Sequence, residues 1–154
     1  MMRGLMILTA AVLCAIQAAE AKRPPNIGSC LNAAQTLEAM RACKRIVFEP
    51  CVQEPEHHQS TMGLVMCNDR EFVQWDALLK ARTAELKARD AYRAQALTAA
   101  DAAWHAWREV ECEFHRAEAQ GGSAEQVITM ECGSDLTAER VILLTWQLRG
   151  NVIY

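Results

Sequence analysis

The sequence predicts an all-α fold, a small disulfide-stapled bundle of about four to five helices. Apolar residues recur at spacings of three, four and seven over most of the chain, which is the period of an amphipathic helix. No segment shows the sustained period-two alternation of a half-buried strand. Six of the seven cysteines follow Ser29, and this even count behind an export signal indicates three disulfides.

Residues 1–21 have the composition of a secretory signal peptide. Arg3 supplies the positive charge, an apolar run follows, and small residues precede Lys22. The apolar run is about fifteen residues, shorter than the roughly 20 that a membrane-spanning helix needs. We therefore expect cleavage before Lys22, no membrane span in the mature chain, and a periplasmic or secreted location.

The length and charge of the mature chain limit its partners. Removal of 21 of the 154 residues leaves 133, which is enough for one domain over residues 22–154. The formal net charge of −3 argues against nucleic acid, because phosphate binding needs clustered lysines and arginines. A mild negative charge is compatible with a cationic protein partner.

The first half of the mature chain predicts two helices and a loop. Leu31, Ala34, Leu37 and Met40 recur at helical spacing, so we expect one helix over residues 28–47. The acidic segment that follows contains two prolines, which predicts a loop through His58. The second helix begins near Ser60 or Thr61 and carries an apolar stripe at helical spacing: Val65, Phe72, Trp75, Leu79 and Leu86.

Weaker periodicity over residues 90–97 predicts a break, and the third helix is expected to start at Thr98. It extends to about Ala119 and carries a stripe that we interpret as core, comprising Trp104, Trp107, Val110 and Phe114. Arg108 and Arg140 are interpreted as interhelical ion-pair partners.

Small residues mark the predicted helix ends and turns in the rest of the chain. Gly121 and Gly122 end the third helix, and Ser123 caps a short helix. Residues 133–135 mark another turn, and Thr137 caps the last helix, which carries Val141, Leu144 and Leu148.

Catalytic and cofactor motifs are scarce in this sequence. It has neither the Cys-x-x-Cys pair of zinc and redox sites nor the Cys-x-x-Cys-His of covalent haem attachment. Glu109, Glu111 and Glu113 alternate on a helix, so their carboxylates do not converge. We therefore predict that the chain is not an enzyme and that it binds no metal and no cofactor. A further hypothesis is a small-molecule pocket among Trp75, Trp104 and Trp107.

Cysteine spacing favours one set of disulfides among the fifteen pairings that six cysteines allow. Cys112 and Cys132 flank the Gly-Gly turn and are placed to join two antiparallel helices. A single helix over residues 28–47 would hold Cys30 and Cys43 about 20 Å apart, which excludes a direct bond between them. Two arrangements then remain. We favour Cys43–Cys51 with Cys30–Cys67, and the exchange of these partners stays open.

The order of several motifs resembles the LprI-like domain, a family of small exported proteins. The C-terminal half carries Trp104 to Arg108-Glu109 before Cys112, then Gly121-Gly122-Ser123, Cys132, and Thr137-Ala-Glu-Arg140. The upstream half is similar at Cys51, Thr61-Met62, Cys67, Glu71-Phe72 and Trp75 to Leu79. The resemblance covers residues 51–148, and the helix at 28–47 is an addition.

The resemblance implies an exported helical binding domain, and inhibition of lysozyme is the association best known for this family. A lysozyme or another cationic envelope protein is the partner that we expect. The alternative is a periplasmic structural or protein-interaction module without lysozyme activity. The sequence leaves the oligomeric state open. We predict partner contacts in the acidic loop and the Gly-Gly turn, at Glu54, Glu56, His57, His58, Gly121, Gly122 and Ser123.

Overall fold

The computed structural model describes residues 25–58 and 60–152, and the predicted signal peptide lies outside them. Six α-helices and no strand occur in this described part, so the all-α prediction is confirmed with slightly more helices than expected. The bounds are α1 Ile27–Ala33, α2 Leu37–Arg41, α3 Phe48–Cys51, α4 Thr61–Arg89, α5 Ala91–Ala117 and α6 Ala124–Leu148.

The three long helices form an up-down-up arrangement with short connections. The most extensive contact is between α4 and α6, and α1 and α2 pack against the same pair. Trp75, Val141 and Ile142 are fully buried in this core. Burial of such large apolar side chains supplies most of the driving force for folding.

The predicted single helix over residues 28–47 is wrong. Ala34 leaves the helical conformation with φ −69° and ψ 132°, and the Thr36 side chain caps α2 by accepting the Ala39 N–H at 3.1 Å. The chain therefore turns back on itself between Cys30 and Cys43, whose Cα atoms are 5.8 Å apart.

Two of the three favoured disulfides are consequently wrong. The structure pairs Cys30 with Cys43 and Cys51 with Cys67, in place of Cys43–Cys51 and Cys30–Cys67. Cys112–Cys132 is confirmed. The error has a single cause, because the assumed continuous helix had excluded the Cys30–Cys43 bond.

Two of the three helix starts predicted in the second half, Thr98 and Thr137, are also wrong. Asp90 is both the C-cap of α4 and the N-cap of α5. Its carboxylate accepts hydrogen bonds from the backbone N–H groups of Tyr92 and Arg93. Thr98 lies inside α5, where its hydroxyl donates to the Ala94 carbonyl. Thr137 likewise lies inside α6 and donates to the Gly133 carbonyl. The turn predicted at residues 133–135 is therefore a continuous helix.

The stripe that we interpreted as core on α5 is mostly exposed. Trp107, Val110 and Phe114 have 48%, 71% and 64% of their surface exposed, and only Trp104 packs against the core. The reason is that α4 and α6 cover a different face of α5, on which Cys112 is the one buried residue of that helix. Trp75 is fully buried in the core, whereas Trp107 is 48% exposed.

A buried carboxylate connects the N-terminal segment to α4. Glu71, only 2% exposed, accepts the backbone N–H groups of Arg45, Val47 and Phe48 at 2.9, 3.1 and 2.9 Å. It also accepts the indole N–H of Trp75 at 3.3 Å. Hydrogen bonds to an ionised acceptor are stronger than neutral ones, and these four offset the cost of burying the charge.

The variant Glu71→Gln is expected to lose about 2–4 kcal/mol of unfolding free energy, because its amide group turns a donor towards donors. Urea unfolding measures this loss. Asp69→Asn is the matched control, since Asp69 lies exposed on the same helix. Equal stability of the two variants would contradict the structural role of Glu71.

Candidate functional site

The two segments predicted to contact a partner lie at the same end of the bundle. The loop at residues 54–58 precedes α4, and the turn at residues 121–123 joins α5 to α6. Because α4 and α6 begin where the antiparallel α5 ends, both segments lie at that end. We name residues 48–58, 60–71 and 105–132, which form this half of the bundle, the acidic end.

Charge is strongly separated between the acidic end and the remainder of the described chain. The acidic end carries eleven carboxylates and three arginines, a formal net charge of −8. The other described residues together carry a formal net charge of +3. The overall charge of −3 is therefore unevenly distributed, and the acidic end attracts cations.

An ion-pair network holds the turn between α5 and α6. The Arg116 guanidinium lies 2.7 Å from Glu125 and 2.8 Å from Glu113. Glu125 also accepts the backbone N–H of Gly121 at 2.9 Å, so a single carboxylate joins the turn to Arg116. Gly121 has a φ of 87°, a conformation that side chains rarely adopt, and nothing lies within 4 Å of the position of a Cβ there.

The Arg116 network shifts the proton affinities of its members. Hydrogen bonds from Arg116 hold the pKa of the Glu113 carboxyl below its ordinary value of 4.5, against a smaller opposing effect of desolvation. The same bonds from Glu113 and Glu125 raise the pKa of Arg116. Glu113 therefore remains ionised throughout the neutral range.

Ser123 occupies the position predicted for it, directly before α6, but its side chain makes no capping hydrogen bond. The residues of the turn, from Gly121 to Ser123, are all exposed. The turn therefore presents an exposed surface to a partner, although the N–H groups of Gly121 and Gly122 are bonded within the chain.

The acidic loop is fixed to α4 by Glu54. Its carboxylate lies 2.7 Å from Arg70 and 3.2 Å from Nδ1 of His57. The Arg70 hydrogen bond is the main reason that the pKa of Glu54 is lowered, and His57 contributes less. A Cβ at Gly63 would lie 2.1 Å from the His57 carbonyl oxygen, so only glycine allows this close approach.

The predicted contact residues of this loop differ in accessibility. Glu56 and His58 are exposed, and Glu54 is partly exposed. His57 is only 4% exposed and has its ring 3.7 Å from the Cys51 sulfur. The His57 side chain therefore supports the loop from beneath and does not present a surface.

A groove of about 270 Å³ lies between α4, α5 and α6 beside the Cys112–Cys132 disulfide. A second hollow beside the turn shares Thr129 and Met130 with it, so the concave surface extends to Gly122 and Ser123. The first groove is lined by Phe72, Arg108, Glu109, Cys112, Glu113, Thr129, Met130 and Gly133.

Arg108 and Arg140 do not make the ion pairs predicted for them. Arg108 donates to the Thr137 hydroxyl at 2.9 Å, and its guanidinium lies 5.0 Å from the centre of the Trp104 ring. Arg140 approaches the same ring at 5.9 Å. In the described part of the chain neither pairs with a carboxylate, and cation–π contact with Trp104 takes the place of the ion pair.

Two clusters have ligand atoms close enough for a metal ion. In the group of Cys51, His57 and Cys67, the sulfurs are bonded to each other and are not thiolate ligands. The second group is Glu54, Glu56 and His57, in which Glu54 is already paired with Arg70. Both clusters are better explained as supports of the loop.

None of the helices in the described residues is long and apolar enough to cross a membrane.

Comparison with known proteins identifies one family. The family model described as lysozyme inhibitor LprI matches residues 51–144. This span begins at the cysteine before the acidic loop and includes both candidate segments. Neither a curated protein nor a solved structure matches the chain.

The Arg116 network predicts a pH dependence of stability. Because the folded pKa of Glu113 is depressed, its contribution is complete above the ordinary carboxyl pKa and is lost as the pH falls through the depressed value. We expect the melting temperature to fall less between neutral pH and about pH 3 in Glu113→Gln than in the wild type. Glu118→Gln, directly after α5, serves as the control and should keep the wild-type dependence. Identical pH profiles for Glu113→Gln and the wild type would rule out this role.

Proposed function

Since the chain belongs to the lysozyme inhibitor LprI family, we propose that it is an exported binding domain that inhibits a cationic lysozyme through its acidic end. The observation that carries this proposal is the separation of charge, −8 at the acidic end against +3 elsewhere in the described chain. A periplasmic or secreted location fits the three disulfides, which form in oxidising compartments.

Electrostatic attraction gives this surface its selectivity. A charged pole increases the rate of encounter with a partner of opposite sign and disfavours partners of the same sign. Exposed charges are screened beyond about 8 Å at physiological ionic strength. Binding through the acidic end should therefore weaken as salt is added.

Both candidate segments are held rigid by disulfides. The loop at residues 54–58 lies inside the ring closed by Cys51–Cys67, and the turn at 121–123 lies inside the ring closed by Cys112–Cys132. A segment that is already ordered loses less conformational entropy when it binds. Each disulfide thus prepares one contact segment for a partner.

Binding without catalysis agrees with the chemistry of the acidic end. Its arginines are occupied by carboxylates at Arg70 and Arg116, and by Thr137 and aromatic rings at Arg108. We propose that the domain acts by occupying a cleft of its partner.

A second candidate function is an interaction module of the cell envelope that does not bind lysozyme. Met62, Met66 and Val73 on α4 favour it, since they are 60%, 50% and 57% exposed and share one helix face. Exposed apolar side chains that cluster on one face often mark a protein-binding surface.

The proposal is tested by lysozyme turbidity assays on cell walls with the purified oxidised protein. Glu56→Lys and Glu118→Lys each change an exposed carboxylate at the acidic end, and we expect each to weaken inhibition about tenfold at low salt. Glu38→Lys makes the same charge change on the exposed surface of α2, outside the acidic end, and should inhibit like the wild type.

Two results would refute the proposal. Lack of inhibition at a large molar excess, across several lysozyme types, would favour the interaction module. Equal weakening by Glu38→Lys and Glu56→Lys would leave inhibition in place but would remove the acidic end as its surface.

A further inference from the structure

The outer face of α5 carries seven exposed residues in a line, which we name the α5 stripe. Its large members are Tyr92, Trp107, Val110 and Phe114, with 93%, 48%, 71% and 64% of their surface exposed. The other members are the exposed alanines 96, 99 and 103. An apolar face of this size on a soluble domain usually marks an interface.

The spacing of the stripe suits a straight helix. Successive members are four, three, four, four, three and four residues apart, so that Tyr92, Ala103 and Phe114 follow each other at intervals of eleven. Eleven residues over three turns give about 3.67 residues per turn, close to the 3.6 of an α-helix. The stripe therefore runs nearly parallel to the helix axis for about 33 Å.

The same spacing is symmetric about its central residue. Read from either end of the helix, the intervals are identical, with Ala103 in the middle. A two-fold axis through Ala103 would therefore place the stripe of one copy in register against the antiparallel stripe of a second copy. Self-complementary surfaces of this kind are the usual basis of two-fold dimers.

Side-chain sizes are complementary in this register. Ala96 of one copy faces Val110 of the other, and Ala99 faces Trp107. Tyr92 faces Phe114 at each end, which gives two aromatic contacts. Small residues opposite large ones allow two helices to approach and interdigitate.

Charges at the edge of the stripe are complementary as well. Arg93 and Glu111 are eighteen residues apart, five complete helical turns, so they flank the stripe on the same edge. In an antiparallel two-fold dimer, this edge of one helix lies next to the same edge of the other helix. Arg93 of one copy then lies beside Glu111 of the other, about 3 Å from exact register along the axis. Gln95 and Glu113 have the same relation on the opposite edge.

We propose that the α5 stripe binds a second copy of this chain, forming an antiparallel two-fold dimer centred on Ala103. The candidate contact segments at residues 54–58 and 121–123 lie outside the stripe, so dimer formation leaves them free. The dimer does not depend on lysozyme binding, and either property can fail without the other.

Sedimentation equilibrium of the purified oxidised protein tests for the dimer. We expect a concentration-dependent dimer, and Val110→Glu should raise its dissociation constant at least tenfold by placing a charge in the interface. Val73→Glu is the matched control, because Val73 is similarly exposed on α4 but lies outside the stripe. A wild-type monomer at about 0.1 mM, or equal effects of the two variants, would overturn the proposal.

Disulfide trapping tests the register. Ala103→Cys should form a covalent dimer under mild oxidation, because the two-fold axis brings position 103 of both copies together. Ala102→Cys, also exposed but one residue off the stripe, should remain monomeric. Arg93→Glu should weaken the dimer, and adding Glu111→Arg should restore it. Trapping at both positions alike, or no rescue by the charge exchange, would contradict the antiparallel register.

Discussion

The buried carboxylate of Glu71 is the interaction on which the N-terminal half of the structure depends. It accepts the backbone N–H groups of Arg45, Val47 and Phe48. These bonds fix the segment that leads into α3 against α4. That position brings Cys51 within bonding distance of Cys67, which closes the ring containing the acidic loop. A charge without such partners would not be stable in the core, so the carboxylate and the fold of this segment require each other.

The helices divide into a core and an accessory element. α4 and α6 share the most extensive contact and hold the buried apolar side chains, together with α1 and α2. α5 buries only Cys112 and is secured by its disulfide, by the Asp90 cap and by Arg108 on Thr137. This attachment leaves one long face of α5 without a partner in the described chain and leaves its C-terminal turn at the acidic end.

Local signals explain which helix boundaries were predictable. The Gly121-Gly122 pair was correctly predicted as the end of a helix, and α5 does end shortly before it. Pro50, which was expected to stop a helix and begin a loop, instead lies in the first turn of α3, where proline is tolerated. Asp90 and Thr36 are caps whose effect depends on a hydrogen bond that a few alternative residues could also make. Gly133 and Ser134 resemble a turn in sequence, but packing of α6 on α4 keeps them helical, since tertiary contacts outweigh a weak local preference. The network of Arg116, Glu113 and Glu125 was missed, although the spacing of three between Glu113 and Arg116 is a helical ion-pair signal.

The sequence by itself determined the helical class, the number of disulfides, the Cys112–Cys132 pair and the order of motifs shared with the lysozyme inhibitor LprI family. These features follow from periodicity and from spacing along the chain, which need no knowledge of distant contacts. Only the tertiary structure decided the other two disulfides, the exposure of the α5 stripe and the placement of the two candidate segments at one end of the bundle. The disulfides follow from the reversal of the chain between α1 and α2, and the exposure of the stripe follows from which face of α5 its neighbours cover. An amphipathic pattern shows that a helix has an apolar face, but the packed neighbours decide whether that face is buried.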